Sequence, residues 1–104
     1  MNTENRQLSR TELTWPVTIN TSEQTLKGET RDISPYGAFI YCDRPLPASH
    51  LFCLSIHIYS ETISFTSMAE TVWSTHNGMG VRFHLDRSQQ GELLARFIAE
   101  VQPG

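Results

Sequence analysis

Cysteine is scarce in this chain of 104 residues: Cys42 and Cys53 are the two it has. A disulfide-stapled scaffold is therefore not expected, although one bridge between strands is not excluded. Missing too is any apolar run long enough to cross a bilayer, so no membrane insertion is expected. The opening, "MNTENRQLSR", lacks the apolar segment of a secretory signal. The expected address is the cytoplasm, where both thiols would stay reduced. An excess of positive charge is absent as well. Eight Lys and Arg against eleven Asp and Glu give a formal net charge of −3, which argues against DNA, RNA or an anionic membrane as the general partner. What is there, 38% hydrophobic and 18% charged residues, places the chain with globular rather than disordered proteins. Its length suits one domain with a modest core.

The cations are unevenly spread. Arg6, Arg10, Lys27 and Arg31 fall in the first third, where a local anion site can form despite the acidic total. Residues 1–13 are polar, show little periodicity and read as a flexible arm; residues 14–104 read as the single domain. "WPVTINT" (15–21) alternates Trp15, Val17 and Ile19 with polar neighbours, as a half-buried strand does. A turn at "SEQ" leads to "LKGETRDI", a second strand, and "GAFIYC" makes a third. "DRPLPASH" is a proline-punctuated connection. "LFCLSIHIYS" sets Phe52, Leu54, Ile56 and Ile58 on one face against Cys53, Ser55, His57 and Tyr59. "TISFTSMAETVWST" predicts one long strand with a break near Ser67. "HNG" signals a tight turn before "MGVRFHL", the last strand.

Beyond Asp86 the period changes from two to that of a helix. Leu93, Leu94, Phe97, Ile98 and Val101 form one apolar stripe, with Asp86 as a candidate cap and Gln89 completing a capping box. Gly91 weakens the start of that helix by about 1 kcal/mol. About six antiparallel strands followed by one helix predict an all-β domain: a small closed or nearly closed barrel with a C-terminal α-helix packed on it.

The stretch "RDISPYGAFI" (31–40) carries more polar chemistry than a connection between strands needs. On an extended backbone Asp32 and Ser34 share a face. Pro35 fixes the turn, and Gly37 permits either a positive φ or a close approach. Read locally, Asp32 and Ser34 bond neighbouring amides. "RQLSR" (6–10) adds a second feature. Arg6 and Arg10 read either as solvated surface charges or as two planar forks able to grip phosphate and the O6/N7 edge of guanine. Asp32 then either accepts from the guanine N1–H and N2 amine or holds an arginine in place.

"RQLSR" followed by "DISPYG" resembles the RxxxR and DxSxxG signature of PilZ domains, bacterial receptors for cyclic di-GMP. Pro16-Val17 follow Arg10 at the family's usual interval, and "ETVW" and "GMGVRF" resemble its late strands. The resemblance covers most of the chain and implies a six-stranded antiparallel barrel whose arm folds over the ligand. It implies that Arg6 and Arg10 grip phosphates and guanine edges, that Asp32, Ser34 and Gly37 form the floor, and that Arg31 assists. Tyr36 stands where many members have a small residue. Asn5, just before the arginine pair, supplies no third guanidinium, which favours one ligand molecule over an intercalated pair. The function so implied is that of a receptor and adaptor, with no enzymatic activity and no cofactor besides the ligand, signalling through a downstream protein partner. The alternative is a nucleotide-independent PilZ-like interaction module.

Other chemistry finds little support. His50, His57, Cys42 and Cys53 match no common zinc spacing, and Cys53 and His57 lie about 13 Å apart along one strand face. No nucleophile-elbow pattern surrounds Ser34, so a Ser–His–Asp hydrolase is not expected. Trp15 and Trp73 read as core or rim aromatics. An OB-like nucleic-acid binder would need a row of exposed aromatics and a basic surface.

Overall fold

The computed structural model describes residues 11–58, 63–84, 94–96 and 98–99. Six strands appear in chain order: β1 (Pro16–Asn20), β2 (Thr25–Ile33), β3 (Gly37–Cys42), β4 (Leu51–Ile58), β5 (Ile63–Ser74) and β6 (Gly78–His84). All neighbours are antiparallel, and the order β1-β2-β3-β6-β5-β4 closes on itself through pairing of β1 with β4. The result is the predicted six-stranded barrel. The alternation expected of β4 is the alternation observed. Phe52, Leu54, Ile56 and Ile58 point inward and are buried, each removal from water contributing about 1.5–3 kcal/mol. Val17, Ile19, Ile33, Ile40, Met79 and Val81 complete the interior from the other strands.

Residues 94–96 and 98–99 are helical, and Leu94 and Ile98 of the predicted stripe are buried in the same core. Four residues apart, they fall on one helical face that covers the barrel. The expected cap at Asp86 and Gln89, the glycine at 91, and Leu93, Phe97 and Val101 lie outside the described residues.

Thr30, fully buried, ties the chain before β1 to β2. Its hydroxyl donates to the Leu13 carbonyl and accepts from the Trp15 amide, while its own amide donates to the Trp15 carbonyl at 2.9 Å. Trp15 is thereby held in the core.

Two departures from the predicted pattern matter for the site. The long strand β5 is continuous through Ser67, where a break was expected. Its irregularity comes later: Thr71 pairs with Val81 and Trp73 with Gly80, leaving Val72 as an extra residue. A second bulge interrupts β2, where Thr30 pairs with Ile40 and Asp32 with Phe39, leaving Arg31 extra. A bulge turns two consecutive side chains toward one side of the sheet and re-aims those that follow. Trp73, accordingly, is no core residue but stands on the outer surface, 46% exposed. Cys42 and Cys53 are both free thiols.

Candidate functional site

The two bulges meet in one cross-strand row. Asp32 on β2 pairs with Phe39 on β3, Phe39 with Gly80 on β6, and Gly80 with Trp73 on β5. Phe39 stands on the outer face of the barrel, between the inward-facing Ala38 and Ile40, and is nevertheless buried. Three side chains cover it. The Trp73 ring lies 5.2 Å away in a tilted stack, Tyr41 meets it edge-on at 5.5 Å, and the Arg31 guanidinium carbon sits over the ring at 4.1 Å. A Cβ on Gly80 would run into the Trp73 indole, so glycine here is what lets the indole lie flat across β6.

Arg31 and Asp32 are sequence neighbours, and on a regular strand they would point to opposite faces. The bulge brings them together, and Arg31 Nε donates to Asp32 Oδ2 at 2.7 Å. The hydrogen bond that Arg31 donates to Asp32 holds its guanidinium still more firmly charged than usual; partial desolvation opposes this, and the Tyr41 hydroxyl adds a smaller contribution in the same direction as Asp32.

Ser34 organises the turn after β2. Its hydroxyl accepts from the Tyr36 and Gly37 amides at 3.1 and 3.2 Å, and its amide donates to the Gly37 carbonyl at 2.8 Å. That is the local role expected of a serine at such a place. The Phe83 amide donates to the Tyr36 carbonyl at 2.9 Å and stitches the turn to β6. Gly37 serves close packing: a Cβ there would strike the Val81 carbonyl oxygen.

A groove of about 240 Å³ lies beside this turn, lined by Ser34, Tyr36 and Gly37 together with Val72, Trp73, Gly80 and Arg82 of the neighbouring strands. Tyr36, one of the lining residues, is 72% exposed. Arg82 Nη2 donates to Glu70 Oε1 at 3.0 Å, and the same oxygen is 2.9 Å from His84 Nε2. These two partners, His84 foremost, hold the Glu70 carboxyl below the usual carboxylate range. A more voluminous depression of about 480 Å³ lies beyond Tyr41, lined by Lys27, Glu29, Asp43 and Asn77 among others. It contains no motif residue, and two acids against one lysine make it poorly suited to an anion.

Ahead of the barrel, Thr11 and Ile33 form an antiparallel bridge, with amide-to-carbonyl distances of 2.9 and 2.8 Å. Ile33 is the residue between Asp32 and Ser34. The backbone that immediately follows Arg10 is thus fastened to the end of β2, at the second residue of "DISPYG". Arg6 and Arg10 themselves lie outside the described residues.

A family model of the PilZ domain matches residues 4–100. The chain belongs to the PilZ domain family. PilZ domains generally serve as cyclic di-GMP receptors or adaptors. Among solved structures, the chain is similar to the PilZ domain of CeSA from a cellulose-synthesizing bacterium, with 19% identity, a TM-score of 0.70, and 88% of this chain and 96% of that one covered. It is also similar to the Bacillus subtilis inhibitor of motility, MotI/DgrA, at 15% identity and a TM-score of 0.72. There the match covers 88% of this chain and 48% of the other, so the chain spans about half the length of that protein. An uncharacterized Legionella protein matches at 14% identity, a TM-score of 0.58, and coverage of 88% and 91%. At these identities the likeness concerns the fold. A comparison with curated proteins finds no match.

Of the residues singled out from sequence, the PilZ structure sets Arg31 and Asp32 side by side near the end of β2, and Ser34 and Gly37 in and at the end of the turn that follows. Phe39, Trp73, Gly80 and Arg82 were not anticipated there. A signal existed for Trp73: "TVW" sets two apolar residues side by side where alternation calls for one, as a bulge does.

Proposed function

We propose that this PilZ domain is a cyclic di-GMP receptor and adaptor without catalytic activity. The ligand would be held between Arg6 and Arg10 of the N-terminal segment and the surface made by Arg31, Asp32, Ser34 and Gly37. The observation that carries this reading is the Thr11–Ile33 bridge. It sets the chain directly after one motif against Ile33, within the first part of the other, so the two halves of the proposed ligand site are tied by backbone rather than left to find each other. A tether of that kind lowers the entropy lost when two arginine forks close on a dianion.

The chemistry suits a guanine nucleotide. Arginine forks make bidentate bonds to phosphate and to guanine O6 and N7. The groove beside Ser34 and Gly37 offers a flat aromatic wall in Trp73 and a cation in Arg82. Output passes to a protein partner. Closing of the residues before Thr11 on the ligand would change the surface that partner meets, by no more than the ligand's differential affinity for the two states.

Calorimetric titration of cyclic di-GMP into the wild-type chain and into Arg10→Ala tests the reading. Saturable binding that weakens about ten- to a hundredfold in the variant is expected, from the roughly 1–3 kcal/mol of a bidentate arginine. The stoichiometry distinguishes one ligand molecule, as expected, from two. Absence of binding to the wild-type chain would leave a PilZ-shaped protein-interaction module.

A further inference from the structure

Arg31 is a cation of this surface whose position is set by its own protein neighbours. The β2 bulge takes it out of the strand ladder and keeps it beside Asp32. Asp32 Oδ2 holds its Nε edge at 2.7 Å, and the Phe39 ring lies under the guanidinium carbon at 4.1 Å. Phe39 cannot drift, because it is buried between Tyr41 and Trp73. The Arg31 side chain still keeps 46% of its surface accessible. With the ring on one side of the guanidinium carbon and the carboxylate at Nε, the side away from Phe39 is where a further planar group can approach.

We propose that Arg31 is a preformed stacking platform: a planar base of the bound nucleotide lies on the side of its guanidinium away from Phe39, continuing the stack that Phe39 begins. This rests on the receptor reading above and adds to it a residue that reads the base rather than the phosphate. A guanidinium plane stacks on aromatic rings on both sides, and its charge is favourable above an electron-rich π face. Pre-ordering matters as much as contact. A long arginine usually loses rotamer freedom on binding, and here the bond to Asp32 and the contact with Phe39 already restrain it. On this account Asp32 acts through Arg31, as a positioning residue, whatever it also offers the ligand directly.

Lysine separates a plane from a mere charge, since it keeps the cation and has neither the plane nor the fork. Cyclic di-GMP is titrated into the wild-type chain, Arg31→Ala, Arg31→Lys, Phe39→Leu and the Arg31→Ala/Phe39→Leu double variant, with urea unfolding recorded for each. Arg31→Ala is expected to weaken binding about tenfold or more with little change in the unfolding midpoint, and Arg31→Lys to recover almost none of it. Phe39→Leu should lose part of the same affinity, and the double variant should bind no worse than Arg31→Ala, since both act on one stack. Wild-type binding with Arg31→Ala equally tight would overturn the platform and leave the receptor standing. Full rescue by lysine would reduce Arg31 to a charge and end the stacking proposal. No binding by the wild-type chain would remove the receptor reading itself, and the platform with it.

Discussion

Gly37 and Val81 approach across β3 and β6 so closely that a Cβ on the glycine would strike the valine carbonyl oxygen. The obstacle is backbone, not a pliable side chain. Gly37→Ala should therefore push the two strands apart and cost about 1–3 kcal/mol, read from the urea midpoint at constant m-value. A cost below about 0.5 kcal/mol would show that the turn gives way easily. The contact also supplies a structural reason for glycine at this point of the motif, separate from any ligand.

Thr30→Val replaces a buried hydroxyl by a methyl of similar size. It leaves the Leu13 carbonyl and the Trp15 amide without the partner they share. Each buried group so orphaned costs about 1–3 kcal/mol. We expect a loss in that range or above it, with faster hydrogen exchange at the Trp15 amide than at β4 amides. An exchange pattern unchanged at Trp15 would count against the anchor.

Glu70 has its carboxyl pKa depressed, first by the His84 hydrogen bond and then by that of Arg82. A group depressed on folding stabilises the protein above its unfolded pKa, about 4.3, and loses that contribution as pH falls through the lower folded value. The wild-type chain should thus exceed Glu70→Gln in stability near pH 6 by a small margin, because the cluster is largely exposed. The margin should vanish towards pH 3 and shrink in molar salt. Thermal unfolding of both proteins over that pH range is the check, and a margin that grows on acidification would contradict the assignment.

The two thiols should react in sequence. Cys42 is buried, and burial pushes its thiol pKa up, whereas Cys53 is half-buried on the outer face of β4. Timed alkylation with mass analysis is expected to label Cys53 well before Cys42. Equal rates would mean that the β3 end opens far more readily than its packing suggests.

Most of the barrel was legible because its strands obey a strict two-residue period, which Phe52 to Ile58 keep without a fault. The helix was legible for the same reason at another period, through Leu94 and Ile98. What stayed hidden was the outer surface at the row from Asp32 to Trp73. That row depends on two bulges, and a bulge is a choice of hydrogen-bond register between strands far apart in sequence. That Arg31 bonds Asp32 follows from the β2 bulge, and Trp73, read as a core or rim aromatic, stands outside because of the β5 bulge. Neither Gly80 nor Phe39 carries a local mark of its role; each acquires it from the strand opposite. Ser34 was half-read: its turn-forming bonds follow from local chemistry, while the groove beside it needs β5 and β6.

Closure of the sheet through β1 and β4 has a consequence for any partner of this domain. Among the described residues each of the six strands has a neighbour on both sides, and where β2 outruns β1 the backbone of Thr11 pairs with Ile33. Little edge is left along which another polypeptide could add itself as a seventh strand. What this fold has to hand to a second protein is chiefly shape and side chains on a convex wall.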